Sequence, residues 1–184
     1  MTSILRVDSI QTAAGGSATA SGLGIGGVGK IGQVLQAYKT DIFTTTASGL
    51  NDVIGLTVSI TPSSTSSKVL VTSFVSGFSH SGRGGGFRLV RDSTSIGLHN
   101  TASNRTLSSF SGHLYTGDAS GTAQMHFNAQ AMYLDSPSTT SATTYKVQCN
   151  GTGAALYINR QETDTDDNDH TRCVSHITVM EVLA

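Results

Sequence analysis

The chain has few charged residues, aromatic residues, cysteines and prolines, and each shortage narrows what it can be. Of 184 residues, 12% are charged and 6% aromatic, with two cysteines, two prolines and a formal net charge of −1. A charge so close to zero gives no electrostatic basis for binding nucleic acid or an anionic membrane. Two cysteines are too few for a disulfide framework. We therefore predict no nucleic-acid partner, and either two thiols buried on strands or a single bridge between Cys149 and Cys173.

Long hydrophobic runs are also missing. No stretch reaches the roughly 18 apolar residues that a membrane-spanning helix needs, so we predict no membrane insertion. The first residues lack the basic segment and apolar run of a secretory signal. Serine, threonine and 21 glycines are abundant instead. Because disordered chains usually carry high net charge, this composition favours a β-rich domain whose surface is covered by neutral hydroxyl groups.

The composition changes near residue 30. Residues 1–30 hold one short β-like segment, Leu5 to Ile10, followed by a Gly/Ala/Ser-rich stretch that has little to bury. This leader should take its order from another copy of the chain or from a docking partner. Residues 31–184 are long enough for one domain, since about 150 residues bury about 70% of the unfolded surface. The sequence thus predicts an extended anchor joined to a compact domain.

A period of two runs through the domain. Alternating apolar positions and β-branched residues are typical of strands, and turn residues separate them at short spacing. We predict strands at Ile31–Tyr38, Asp52–Ile60, Lys68–Phe78, Phe87–Arg91, Thr106–Tyr115, Gln124–Leu134, Thr143–Cys149, Ala155–Asn159 and Cys173–Val182. No segment has sustained helical periodicity. This organisation indicates an all-β, antiparallel β-sandwich and favours a jelly roll.

No catalytic motif stands out. Gly24 to Gly29 fits the GxGxxG spacing, but a linker precedes it and a strand follows, where a phosphate-binding loop needs a strand and then a helix. No GxSxG elbow and no pair of carboxylates suited to glycoside hydrolysis is present. The six histidines lack metal-ligand spacing, although His113 and His126 are candidates to meet across strands, and a ring of histidines on a trimer axis stays open. We predict a protein that is not an enzyme and binds no cofactor.

One acidic cluster remains. Its members are Asp164, Asp166, Asp167, Asn168, Asp169 and His170. Asp164, Asp166 and Asn168 match the first three ligand positions of a calcium loop, but the sixth position lacks its glycine and the twelfth its glutamate. We predict a solvated hairpin loop between strands ending at Asn159 and starting at Cys173. A weak Ca²⁺ site and a polar receptor-contact loop are the alternatives.

Several stretches resemble a known family. They are SILRVDSIQT (3–12), GLTVSITPSSTSSKVLV (55–71), FRLVRDSTSIG (87–97), YLDSPSTTSATTYKVQ (133–148), LYINR (156–160) and SHITVMEV (175–182). Together they resemble small tail-fibre or appendage proteins of marine and cyanobacterial phages. The resemblance implies a homotrimeric structural protein of the virion, with its N-terminus on the particle and its β-domain outward for host adsorption. The implied partners are a tail or portal-associated protein and a host-surface glycan or protein.

The leader carries residues suited to anchoring. Leu5, Val7 and Ile10 from three copies can bury one another or fill grooves on a docking platform, while Arg6 and Asp8 form ion pairs with it. Trimerisation also converts three weak surface contacts into a strong one through effective concentration. Two other classes of function remain open: a head-decoration or assembly protein, and a glycan-binding or hydrolytic module, for which binding without turnover is favoured.

Overall fold

The described part of the chain is built from antiparallel strands. The computed structural model describes residues 30–79, 85–100, 103–112 and 126–184. Its strands are β1 (Ile31–Lys39), β2 (Phe43–Thr45), β3 (Gly49–Ile60), β4 (Lys68–Ser79), β5 (Gly85–Arg91), β6 (Thr94–Ile96), β7 (Phe110–Gly112), β8 (Phe127–Asp135), β9 (Thr143–Gly151), β10 (Leu156–Ile158) and β11 (Ser175–Val182). Within those ranges there is no helix, and so none that could cross a membrane. The predicted all-β, antiparallel class is confirmed.

The first sheet contains β1, β2, β4, β8, β10 and β11. Strand β4 pairs with β8 along one edge and with both β11 and β10 along the other. Gly77 shows this arrangement, because it pairs with Phe127 on one side and Ile158 on the other. Strands β10 and β11 therefore lie end to end beside β4. Strands β1 and β2 lie end to end in turn along the far side of β11 and β10.

The second sheet contains β3, β5, β6, β7 and β9. Strand β9 lies between β3 and β5. The other edge of β5 pairs with β7 near its start and with β6 near its end, so β6 and β7 also lie end to end. Each sheet is thus four strands wide when an interrupted strand is counted once.

Two sequence predictions need correction. Of the strand expected at Thr106–Tyr115, the described residues form only β7: residues 106–109 belong to the connection before it, and residues 113–115 lie outside the described ranges. The hairpin loop predicted between Asn159 and Cys173 is present only at its base, where Arg160 and Arg172 form one antiparallel bridge and the Cys173 amide donates a 3.1 Å hydrogen bond to the Asn159 carbonyl. Strands β10 and β11 do not pair with each other and lie end to end beside β4. Alternation cannot reveal either feature, since it reports local burial and not the pairing partner.

The core lies between the two sheets. Buried residues from both sheets form one cluster, which supports a sandwich. Phe87 of β5 is central: its ring lies 5.2 Å from the ring of Phe110 and 5.7 Å from that of Phe127 in the opposite sheet. Burying one such ring contributes roughly 2 to 3 kcal/mol. The alternation predicted for β8 is confirmed where Phe127 and Ala129 face this core.

The two cysteines are free thiols. Cys149 is fully buried on β9, and burial raises the pKa of its thiol to about 11. Cys173 is half-buried and precedes β11. The alternative of a single bridge is therefore not what the fold contains.

A buried carboxylate ties the two sheets together. Asp135, at the end of β8, accepts hydrogen bonds at 2.9 and 3.0 Å from the Arg91 guanidinium and at 2.7 Å from the Tyr145 hydroxyl. Arg91 and Tyr145 belong to the second sheet. Burial, together with the Asp135 carboxylate, raises the pKa of Tyr145 above its ordinary value, so the phenol keeps its proton and stays a donor. The network fixes one edge of the sandwich.

A second buried carboxylate holds the connection between β3 and β4. One oxygen of Glu181 accepts hydrogen bonds from the Ser63 backbone amide and hydroxyl, both at 2.6 Å, and the other accepts one from Gln33 at 3.0 Å. Burial alone would raise the pKa of Glu181, but these hydrogen bonds outweigh it and lower the pKa below its ordinary value. Ser63 lies in this connection, between the end of β3 at Ile60 and the start of β4 at Lys68.

Candidate functional site

Two long connections each interrupt a strand, which resumes end to end with its first part beside the same neighbouring strand. The acidic excursion, residues 159–174, separates β10 from β11 in the first sheet. The short excursion, residues 97–109, separates β6 from β7 in the second sheet, and its residues 101 and 102 lie outside the described ranges. Loops carried on a rigid scaffold are where binding residues concentrate, so these are the first candidates for a contact site.

The acidic excursion leaves the sheet at Asn159. This residue is buried and has a φ of 65°, a left-handed conformation that asparagine tolerates better than most side chains. Its side-chain nitrogen, Nδ2, donates hydrogen bonds of 2.9 Å to the carbonyls of both Lys39 and Asp41. The turn away from the sheet is therefore fixed by the neighbouring strand.

The same excursion returns at Ser175, which is fully buried. The Ser175 hydroxyl accepts a hydrogen bond from the Ser76 backbone amide at 3.2 Å and donates one to the side-chain oxygen of Asn159 at 2.6 Å. It thus occupies the gap that the interruption leaves beside β4. Because both ends are held, the excursion projects from a rigid base.

The short excursion repeats this construction. Gly97 follows β6 with a φ of 62°, packed so closely on Tyr133 that an added Cβ would lie 3.1 Å from that ring. Just before β7, the Ser109 hydroxyl accepts a hydrogen bond from the Leu89 backbone amide at 2.9 Å and donates one to the Ile96 carbonyl at 2.7 Å. A left-handed residue at the exit and a serine at the return therefore frame both excursions.

Two arginines organise the acidic excursion. Arg172 donates two hydrogen bonds to the carboxylate of Asp164, at 3.0 and 2.7 Å, and lowers the pKa of that carboxyl below its ordinary range. The Arg160 guanidinium lies 4.7 Å from the centre of the Tyr157 ring, a cation–π contact. Neither arginine is among the residues predicted from the sequence, although their positions on either side of the acidic cluster are a usable signal.

Asp167 forms the tip of the excursion. One of its oxygens accepts hydrogen bonds from the Asp169 amide at 3.0 Å, from the His170 amide at 3.2 Å and from the His170 ring at 2.5 Å. The bond from His170 is the main reason that the pKa of Asp167 lies below its ordinary value. This carboxylate is therefore occupied in shaping the loop.

The acidic cluster is brought together only in part. A cleft of about 550 Å³ is lined by Asp164, Thr165, Asp166, Asp167, His170 and Arg172, while Asn168 and Asp169 are exposed. In the described ranges no three histidine, cysteine or acidic side chains are placed to hold a metal ion. Asp164 and Asp167 already have hydrogen-bond partners inside the loop. The weak Ca²⁺ site and the polar receptor-contact loop both stay predictions.

The other predicted residues lie elsewhere. The anchoring residues Leu5, Arg6, Val7, Asp8 and Ile10 fall outside the described ranges, as does His113. His126 is described, and its ring contacts the Ser76 hydroxyl at 3.5 Å and the Thr171 carbonyl at 3.1 Å. It therefore connects the acidic excursion to the strands beneath it.

The outer face of the first sheet forms a further candidate surface. Cross-strand partners lie on the same face of a sheet, so the registers define three rows of four side chains pointing away from the core. The rows are Val34, Met180, Leu70 and Leu134; Gln36, Thr178, Thr72 and Met132; and Tyr38, His176, Phe74 and Gln130. We call these twelve residues the apolar face. None is aspartate, glutamate, lysine or arginine.

The outer face of the second sheet has a different character. Asp52, Lys146, Gln148 and Arg88 lie on it. Asp52 accepts hydrogen bonds from Lys146 at 2.8 Å and from Gln148 at 2.7 Å. The contact with Lys146 is the main reason that the pKa of Asp52 is lowered. This surface is typical of one in contact with solvent.

Comparison with known proteins does not name a function. No protein-family model matches the chain, and no curated protein matches it either. What the protein does is therefore inferred from the two excursions and the two outer faces.

Proposed function

We propose that this chain is a structural protein of a phage virion, a homotrimeric tail fibre for host adsorption. Residues 1–30 dock the trimer to a tail or portal-associated protein, and the domain 31–184 projects outward. The resemblance in sequence motivates this assignment. The observation that carries it is the pair of excursions, each raised from the middle of a strand position and held at both ends.

The acidic excursion supports recognition rather than turnover. Asp164 is paired with Arg172 and Asp167 with His170, and paired groups of this kind present fixed hydrogen-bonding positions to a ligand. A preformed loop also loses less conformational entropy when it binds. Its proposed ligand is a glycan or protein on the host surface.

The strand order supports the proposal that the domain is a jelly roll. If each interrupted strand is counted once, the chain has eight strands in the described ranges. We number them 1 to 8 in chain order, with β1 and β2 as strand 1, β6 and β7 as strand 5, and β10 and β11 as strand 8. Neighbouring strands then follow the order 1-8-3-6 across the first sheet and 2-7-4-5 across the second. Two four-stranded antiparallel sheets joined by crossing connections are the arrangement expected of that fold.

The docking role is tested by deleting residues 1–12 from the full-length gene. We expect the truncated chain to retain the thermal unfolding transition of the full chain, because all the strands in the described ranges lie at or after Ile31. It should be lost from purified particles. The matched control replaces Thr12 and Ser17 by alanine, which leaves Leu5, Val7 and Ile10 in place and should preserve incorporation.

Normal incorporation of the truncated chain would contradict the docking role. Antibody labelling of intact particles then separates the alternatives: label at the tail supports adsorption, whereas label over the capsid supports the head-decoration protein. A chain that is absent from particles but binds host glycans in solution would support the glycan-binding module.

A further inference from the structure

We propose that the apolar face of the first sheet is the surface through which copies of this chain associate. This inference deepens the proposed homotrimer by naming its interface, and it depends on that proposal. Three side chains show why the face is unusual for a surface in water: Met132 is 76% exposed, and Val34 and Tyr38 are each 57% exposed. Contiguous exposed apolar patches mark interaction sites in soluble proteins.

The chemistry of the face fits a second copy of itself. Its three rows hold no aspartate, glutamate, lysine or arginine, and their one basic side chain, His176, is stacked on Tyr38 and Phe74. One part of the face can therefore pack against another part of the same face on a neighbouring copy with little like-charge repulsion. Depletion of charge with enrichment of tyrosine, phenylalanine and methionine is the signature of interface centres. A charged partner would find no aspartate, glutamate, lysine or arginine on this face with which to form an ion pair. Lys68, in the row beyond Met180, marks where the charged rim begins.

The most exposed apolar groups lie at the two margins of the face. Val34 and Tyr38 belong to β1, and Met132 and Leu134 belong to β8, the outermost strands of the sheet. Side chains of the central strands, such as Leu70 and Phe74, are half-buried between them. A ring of three needs two different contact surfaces on each copy, since each copy touches two neighbours. The β1 margin of one copy against the β8 margin of the next meets that requirement.

The aromatic row is already ordered within one copy. His176 stacks on Tyr38 with ring centres 6.5 Å apart and on Phe74 with ring centres 5.9 Å apart. Gln36 is likewise held by a 2.8 Å hydrogen bond to Thr178. Side chains that are ordered before association lose less entropy when they become an interface.

The position of the leader agrees with this interface. Residue 30 is fixed at the end of the first sheet by a hydrogen bond from the Leu183 amide to the Lys30 carbonyl at 2.8 Å. The described chain therefore begins beside β1, at the margin of the apolar face. Copies joined through this face bring their leaders together, as docking through three copies of Leu5, Val7 and Ile10 requires.

The test measures the mass of the full-length chain by light scattering across a concentration series. Val34→Glu and Met132→Glu each place a charge on one margin, and Ile54→Glu is the matched control, because Ile54 is an equally exposed apolar residue (66%) on the second sheet. We expect wild type and Ile54→Glu to be trimeric. Each margin variant should be dissociated, with at least a tenfold weaker association and an unchanged circular dichroism spectrum.

Each contrary result has its own meaning. Trimers of Val34→Glu and Met132→Glu as strong as those of Ile54→Glu would overturn this interface and leave the proposed homotrimer standing. Dissociation by only one margin variant would overturn the two-margin contact. A monomeric full-length chain whose Met132 resists peroxide oxidation would show that another segment of the same chain covers the face, and a monomer with freely oxidised Met132 would show that nothing does. Either monomer overturns the interface, while the docking test above decides the virion assignment separately.

Discussion

The two sheets of the sandwich have the same strand arrangement but different outer faces. Each has four strand positions, and each has one strand interrupted by an excursion with a left-handed residue at its exit and a serine at its return. Their inner faces share a single core. Their outer faces diverge, because the first carries uncharged rows while the second carries the Asp52–Lys146 ion pair. Since the core constrains only the inner faces, the divergence of the outer faces reflects what each surface contacts.

The largest loss of stability is expected from removing the Asp135 carboxylate, which hydrogen-bonds the first sheet to the second. Asp135→Ala leaves the buried Tyr145 hydroxyl without its acceptor and the Arg91 guanidinium without its carboxylate. Removing one partner of such a buried network costs about 3 kcal/mol. Urea unfolding of the variant should show a lower midpoint with an unchanged slope. A loss no larger than that of Asp52→Ala, at an exposed ion pair, would mean that the sheets do not depend on this network.

A smaller loss of stability is expected when Glu181, the buried carboxylate of β11, is replaced. Because the pKa of Glu181 is lowered on folding, its stabilisation is present above its unfolded pKa of about 4.3 and is lost as pH falls through the lower folded value. Glu181→Gln should cost about 1 to 2 kcal/mol at pH 7, since its amide replaces an acceptor oxygen with a donor.

The dependence of stability on pH below about pH 5 distinguishes Glu181 from Asp52, the carboxylate on the outer face of the second sheet. Below pH 5, the difference in unfolding free energy between wild type and Glu181→Gln should shrink. Asp52→Asn should change the acid limb less, because the Asp52 side chain is 42% exposed and its ion pair is screened by water. Parallel stability curves for wild type and Glu181→Gln from pH 3 to pH 7 would refute the role of Glu181.

The smallest effect compares the two returning serines. Ser175→Ala leaves the Ser76 amide without an acceptor in a fully buried position, at a cost of about 1 to 2 kcal/mol. Ser109→Ala removes the corresponding bond to the Leu89 amide where burial is only partial, so we expect about half that cost. Thermal unfolding of the two variants measures the difference. Equal costs would mean that the two interruptions are equally buried in solution.

Much of the strand content was predictable from residues. Alternation located eight of the nine predicted strands within a few residues, since an amphipathic strand has to place every second side chain in the core. Strands β2 and β6, of three residues each, were not predicted. The acidic excursion was located, but its hairpin pairing is limited to one bridge between Arg160 and Arg172, and the side-chain contacts of these two arginines were not predicted. Both features depend on which strand each segment lies beside.

The sequence by itself determined that the described residues form strands, because the alternation of apolar side chains is a local property. The division between a leader and a domain with a core stays a prediction from the same supply of apolar side chains. Only the tertiary structure decided which side chains share a surface. Val34, Met180, Leu70 and Leu134 stand far apart along the chain and form one row through strand register alone. Register is set by long-range pairing, so the apolar face and the two framed excursions become visible only once the sheets are assembled.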